Sequence, residues 1–187
     1  MTPMRRGANV GLTREIPGLR GVVIGVRFVA GAERTLADNL VVAAILCDAT
    51  TKALSDRHFV FFNQLTSSDL SVRQLEQVLG ADSEQIEVDL DRVPPEVSRI
   101  VVVLYINEGA VQRRSLGQLR SCSVRVLNLD DNVELVRSED LAAGLTQETG
   151  LALGELYRHN REWKFKVLGD AYAGGIAQIA ADYGVPL

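Results

Sequence analysis

Apolar side chains recur at every second position along most of this chain, a period that a sheet requires and a helix cannot use. Between Leu19 and Phe28, the residues Val22, Ile24, Val26 and Phe28 fall on one side of an extended chain. From Glu84 to Leu90, Ile86, Val88 and Leu90 alternate with Gln85, Glu87 and Asp89, the pattern of a half-buried strand. Residues 99–107 are apolar on both faces, which predicts a central strand covered from two sides. Further strands are expected at 9–12, 39–47, 57–63, 121–129, 133–138, 151–159 and 161–168, roughly ten in all. In the hairpin of residues 156–165, Asn160 can supply the positive φ of a tight turn, and Trp163, Phe165 and Val167 then face the core.

Helical segments are expected to be minor. They are Ser71–Leu79, with Val72, Leu75, Val78 and Leu79 on one face, Ser138–Ala143 capped by Ser138, and Gly175–Tyr183 near the end, with a turn at Pro94–Val97. So few helices between so many strands exclude an alternating α/β array. The predicted class is all-β: a β-sandwich of two mostly antiparallel sheets with a few short helices, one near the C-terminus, and residues 1–187 forming one domain.

Composition narrows the function. With 187 residues and 47% hydrophobic content the chain can bury a core without disulfides, and its net charge of −4 is far from that of a disordered tail. No apolar run is long enough to cross a membrane, and Met1–Gly7 has basic residues with no apolar segment behind them, so a soluble cytoplasmic protein is expected. Cys47 and Cys122 each sit in an apolar stretch, without Cys or His at zinc-site spacing, and are expected to be buried reduced thiols. His58 and His159 are the only histidines, which leaves few ways to build a His-assisted nucleophile and argues against an enzyme.

Residues Leu156–Phe165, followed by Ala171–Gly175 and Asp182–Val185, resemble the C-terminal signature of the TerD-type tellurium-resistance and stress-response family. Gly7–Thr13 resembles that family's opening strand, Phe59–Leu65 its phenylalanine-rich strand, and Glu84–Leu90 with Val93-Pro94 its mid-chain strand and turn. The similarity is collinear over nearly the whole chain. It implies a β-sandwich binding protein, non-enzymatic, that binds calcium through acidic loops and serves resistance to tellurite and chemical stress. It also implies membrane-associated protein partners and a cytoplasmic location peripheral to the inner face of the membrane. An alternative implied by some relatives is a small-ligand protein of the cyclic-nucleotide-binding kind. Oligomeric state stays open.

Calcium takes six to eight oxygen ligands, so its site needs several converging carboxylates. The residues aligned with the family's Asp-Leu-Asp triplet are Asn39-Leu40-Val41, and its Ile-His-Asp becomes Ile106-Asn107-Glu108. In place of its Gly-Asp-Asn-rich acidic loop stands Arg73–Glu84, shorter and partly helical in pattern, where Asp82 and Glu84 keep acidic character just before the mid-chain strand. Calcium binding is therefore expected to be reduced or lost. The residual metal candidates are Asn39, Asp82, Glu84 and Glu108, with Asp38 beside them; solvated loop charge is the competing explanation.

Other features have simpler explanations. His159 is expected to serve the hairpin or a partner, and Asp130-Asp131-Asn132 to make a turn. Arg113, Arg114, Arg120 and Arg125 could form a basic strip, but without interleaved aromatics nucleic-acid binding is not expected. Gly174-Gly175 could offer N–H groups to an anion or let the chain turn closely against a sheet.

Overall fold

The computed structural model describes residues 2–78, 80–107 and 114–186. In chain order the elements are β1 (Asn9–Gly11), β2 (Gly21–Val29), α1 (Arg34–Asp38), β3 (Leu40–Cys47), β4 (Phe59–Val60), β5 (Val72–Gln74) and β6 (Glu84–Asp89), then β7 (Arg99–Ile106), β8 (Ser121–Asn128), β9 (Glu134–Arg137), β10 (Gly150–His159), β11 (Glu162–Tyr172) and α2 (Gly175–Tyr183). They form a six-stranded sheet ordered β1-β11-β10-β7-β3-β4 and a five-stranded sheet ordered β5-β6-β2-β8-β9. Neighbouring strands pair antiparallel in both sheets.

The two-sided apolar run at residues 99–107 becomes β7, deep inside the larger sheet. Its Ile100, Val102, Leu104 and Ile106 join the core between the sheets, where they meet Ile24, Val26 and Phe165. The alternate residues Val101, Val103 and Tyr105 join a second apolar layer, closed by Ile179, Ala180 and Tyr183 of α2. Gly150 admits that helix: a Cβ there would lie 2.8 Å from Ile179 Cδ1. Tyr172 donates to Asp182 Oδ2 at 2.6 Å and ties the helix back to β11. The β10–β11 hairpin turns on Asn160 and Arg161, with φ of 51° and 66°, and Trp163, Phe165 and Val167 are buried as their spacing predicts.

Two expected helices are absent, for a common reason. Within Ser71–Leu79 the residues Val72–Gln74 form β5, pairing Val72 with Val88 and Gln74 with Ile86. Val72 and Gln74 are buried while Arg73 is exposed, so the helical spacing of apolar residues lost to a ladder offered by β6. Leu79 lies outside the described residues. Ser138 caps no helix: its Oγ accepts from Val124 N at 3.0 Å, and the chain beyond it continues beside β8 through Leu141 N donating to Cys122 O. The short α1 was not anticipated, and the expected strand at 57–63 shrinks to Phe59–Val60 after a turn of 3-10 helix at Asp56–His58.

Both cysteines are free and buried, and burial pushes each thiol up to about 12. A thiolate-directed reagent at pH 8 should therefore label neither Cys47 nor Cys122 in the native protein and both after unfolding. Rapid labelling of native protein, followed by mass spectrometry, would contradict this packing.

Candidate functional site

The start of β3, the end of β7 and the approach to β6 meet at one end of the sandwich. Leu40 pairs with Ile106, and just outside that pair Asn107 N donates to Asn39 O at 2.7 Å. A cavity of about 270 Å³ opens there, lined by Asp38, Asn39, Val41, Phe62, Gln74, Glu84 and Asn107 among others. Asn39 and Glu84, two of the four residues singled out from the sequence, thus come together with Asp38. Asn107 joins them, whereas Glu108 lies outside the described residues.

Each polar side chain is held from its own element. Asn39 Nδ2 donates to Thr35 O of α1 at 2.8 Å, which leaves its Oδ1 to accept from a guest. Gln74 Nε2 reaches across from β5 to Glu84 Oε2 at 3.3 Å. Burial pushes the Glu84 carboxyl above its ordinary value, and the Gln74 hydrogen bond acts in the opposite direction.

Asp82 is elsewhere. Standing two residues before Glu84, it would share a face with it on a regular strand, but the structure turns it over Gly25 on the outer side of the five-stranded sheet. Its side chain is 3% exposed, and Arg125 Nε donates to its two oxygens at 2.9 and 3.0 Å. Gln85 Nε2 adds a third bond at 2.8 Å, while Arg125 Nη1 also reaches Glu134 Oε1 at 3.4 Å. The Asp82 hydrogen bond raises the pKa of the Arg125 guanidinium further. Asp82 is absent from the cavity lining, because its carboxylate lies over Gly25 beside Arg125.

The remaining expectations resolve simply. Arg114 Nε pairs with Glu33 Oε1 at 3.2 Å and Arg125 belongs to Asp82, so these two do not join a strip; Arg113 lies outside the described residues. His159 sits in register opposite Glu162 at the end of the β10–β11 ladder. A larger hollow, about 680 Å³, opens at the start of α2 beside Arg114, Thr149 and Gly174, with no carboxylate among the described residues that line it. There Gly174 N donates to Gln178 Oε1 at 2.8 Å, and a Cβ on Gly175 would meet Thr149 Oγ1 at 2.7 Å. The glycine pair therefore serves a close turn against the sheet.

Sequence reasoning missed Gln74 and Phe62. The alternation of Val72, Arg73 and Gln74 could have placed Gln74 inward, whereas nothing distinguished Phe62 from its phenylalanine-rich neighbours.

Fold and site together define a two-sheet β-sandwich with an oxygen-lined cavity at one end. The TerD domain model matches residues 1–183. The tellurium resistance protein TerD of Serratia marcescens is 37% identical, over 97% of this chain and 96% of that one. General stress protein 16U of Bacillus subtilis (strain 168) is also 37% identical, with the same coverage of each chain. A solved structure of a homologue of telluride resistance protein (TerD) from Streptomyces coelicolor A3(2) shares the fold at 18% identity and a TM-score of 0.64, covering 87% of this chain and 96% of that one. The chain belongs to the TerD family.

A Cβ on Gly25 would lie 2.1 Å from Asp82 Oδ2. Gly25→Ala should thus expel the carboxylate from Arg125 and cost about 1–3 kcal/mol in urea unfolding, and cost less in an Asp82→Ala background. Equal costs in the two backgrounds would show that Asp82 does not depend on this glycine.

Proposed function

We propose that this chain is a non-enzymatic recognition protein of a tellurite and chemical-stress resistance system, in which the calcium binding implied by family resemblance is reduced or lost. The observation that carries the reading is the division of carboxylates. Asp38 and Glu84 line the cavity, while Asp82 is held by Arg125 on another face. Among the described residues no group of three or more His, Cys, Asp or Glu side chains is placed to hold a metal ion. Among the described residues the lining offers two carboxylates and three amides, a poor set for a cation that seeks six to eight oxygens.

The resistance and stress setting follows the names of the relatives, and recognition of a protein partner is part of the proposal. No described helix is long and apolar enough to cross a membrane; the membrane association implied by the family resemblance is proposed to come through partners. The alternative small-ligand reading draws on the 680 Å³ hollow beside Arg114 and α2, a volume suited to a small molecule.

Ligand binding to the native state raises stability as RT ln(1 + [L]/Kd). With a Kd at or above about 1 mM, calcium at that concentration adds at most about 0.4 kcal/mol, a shift of under about 2 °C. Thermal unfolding in calcium and in chelator should therefore nearly coincide; a rise of several degrees would restore the protein to the calcium binders. Cyclic nucleotides in the same assay test the alternative.

A further inference from the structure

The cavity lining departs from a metal site in a specific way. Beside its oxygens it is lined by Leu40 and Val42, whose side chains belong to the core between the sheets, and by Phe62, which is 48% exposed, and among the described residues no basic side chain lines it. Phe62 is seated by an edge-on contact with Phe61 at 5.1 Å, and Phe61 stacks on Phe59 at 4.9 Å, so the ring is backed by an aromatic row. An aromatic face and a hydrocarbon wall offer nothing to calcium, but they suit a cation with a carbon stem.

The polar accounting points the same way. Gln74 is 7% exposed, and its Oε1 is buried without a hydrogen-bond partner. Among the described residues Asp69 Oδ2 is the other such oxygen, and Asp69 does not line the cavity. Buried acceptors in native proteins are normally satisfied, so an orphaned oxygen marks a place where a donor is missing. The terminal torsion of a glutamine amide is soft, and a small turn would present Oε1 to a guest. With Asn39 Nδ2 occupied by Thr35, the cavity offers acceptors from Asn39 Oδ1, Gln74 and the Asp38 and Glu84 carboxylates. A primary ammonium carries three N–H donors and no acceptor, and three acceptors with an apolar sleeve would satisfy it.

We propose that the cavity bounded by Asp38, Asn39, Gln74, Glu84 and Phe62 takes an alkylammonium group, from a partner's lysine side chain or a free diamine, where a metal ion would otherwise sit. The proposal rests on the metal-poor reading of this end given above. The ammonium bonds to Glu84 and the amide oxygens, and its methylene stem packs along Leu40 and Phe62.

The test is an NMR titration of the full chain at constant ionic strength. The probes are 1,5-diaminopentane, capped tripeptides with a central lysine or arginine, and calcium chloride. Either amine source should shift the side-chain NH₂ resonances of Gln74 and Asn39 saturably, with Kd on the order of millimolar. Saturation by the diamine alone identifies a free amine, and by the lysine peptide alone a partner side chain. Glu84→Gln should weaken binding about tenfold, and Phe62→Ala about two- to fivefold, with resonances remote from the cavity unmoved. The proposal is overturned if no amine saturates, if the arginine peptide binds as well as the lysine peptide, or if both variants keep wild-type affinity. Calcium insensitivity alongside such failure would leave the metal-poor reading standing. Sub-millimolar calcium binding at the same resonances would overturn both.

Discussion

Burial of β7 on both faces is the constraint from which the rest of this structure follows. A strand reading Ile100-Val101-Val102-Val103-Leu104 has no side to show to water, so one sheet alone cannot stabilise it. The five-stranded sheet covers one face, and α2 with the phenylalanine-bearing segment at Phe59 covers the other. Covering both faces leaves the ends of the sandwich for polar function. The paired termini of β3 and β7, Leu40 opposite Ile106, bring Asn39 and Asn107 together at one such end.

What that end can bind is decided by where carboxylates are spent. Arg125 on β8 projects from the outer face of the smaller sheet, and Gly25 on the neighbouring strand leaves space for Asp82 to fold over it. The bond is short and mostly shielded, with the Arg125 Nε–H shared between the two Asp82 oxygens, a charge-assisted contact stronger than one between neutral groups. Removing one partner would strand a buried charge, so the pair resists being opened to serve a metal. The cavity beside it keeps Asp38 and Glu84 and is completed by amides and an aromatic ring. The TerD sandwich is thus retained, and on our proposal the chemistry of one end is changed.

The sheets were legible in the sequence because period two is a local property, carried by Val22–Val26, Ile86–Val88 and the β10–β11 hairpin without reference to distant residues. The errors arose where a distant partner decided the outcome. Val72, Leu75 and Val78 have helical spacing, yet the open edge of β6 takes Val72–Gln74 into its ladder. Ser138 looks like a helix cap, yet Val124 N claims its hydroxyl. At the candidate site, the family pattern brought out Asn39 and Glu84, which share the cavity. It also brought out Asp82, whose direction depends on Gly25 and Arg125, far away in sequence. The roles of Gln74 and Phe62 depend on an unsatisfied buried oxygen and an exposed ring, and neither property is visible before the chain is folded.

The central claim is that Asp82 belongs to Arg125 and not to the cation end, and a double-mutant cycle tests it most directly. Wild type, Asp82→Asn, Arg125→Met and the double variant would be unfolded in urea, each with millimolar calcium and with chelator. The account predicts a coupling energy of about 1–3 kcal/mol between the two side chains, the same in both conditions. A coupling within about 0.3 kcal/mol of zero, or one that disappears when calcium is added, would contradict it and return Asp82 to the metal.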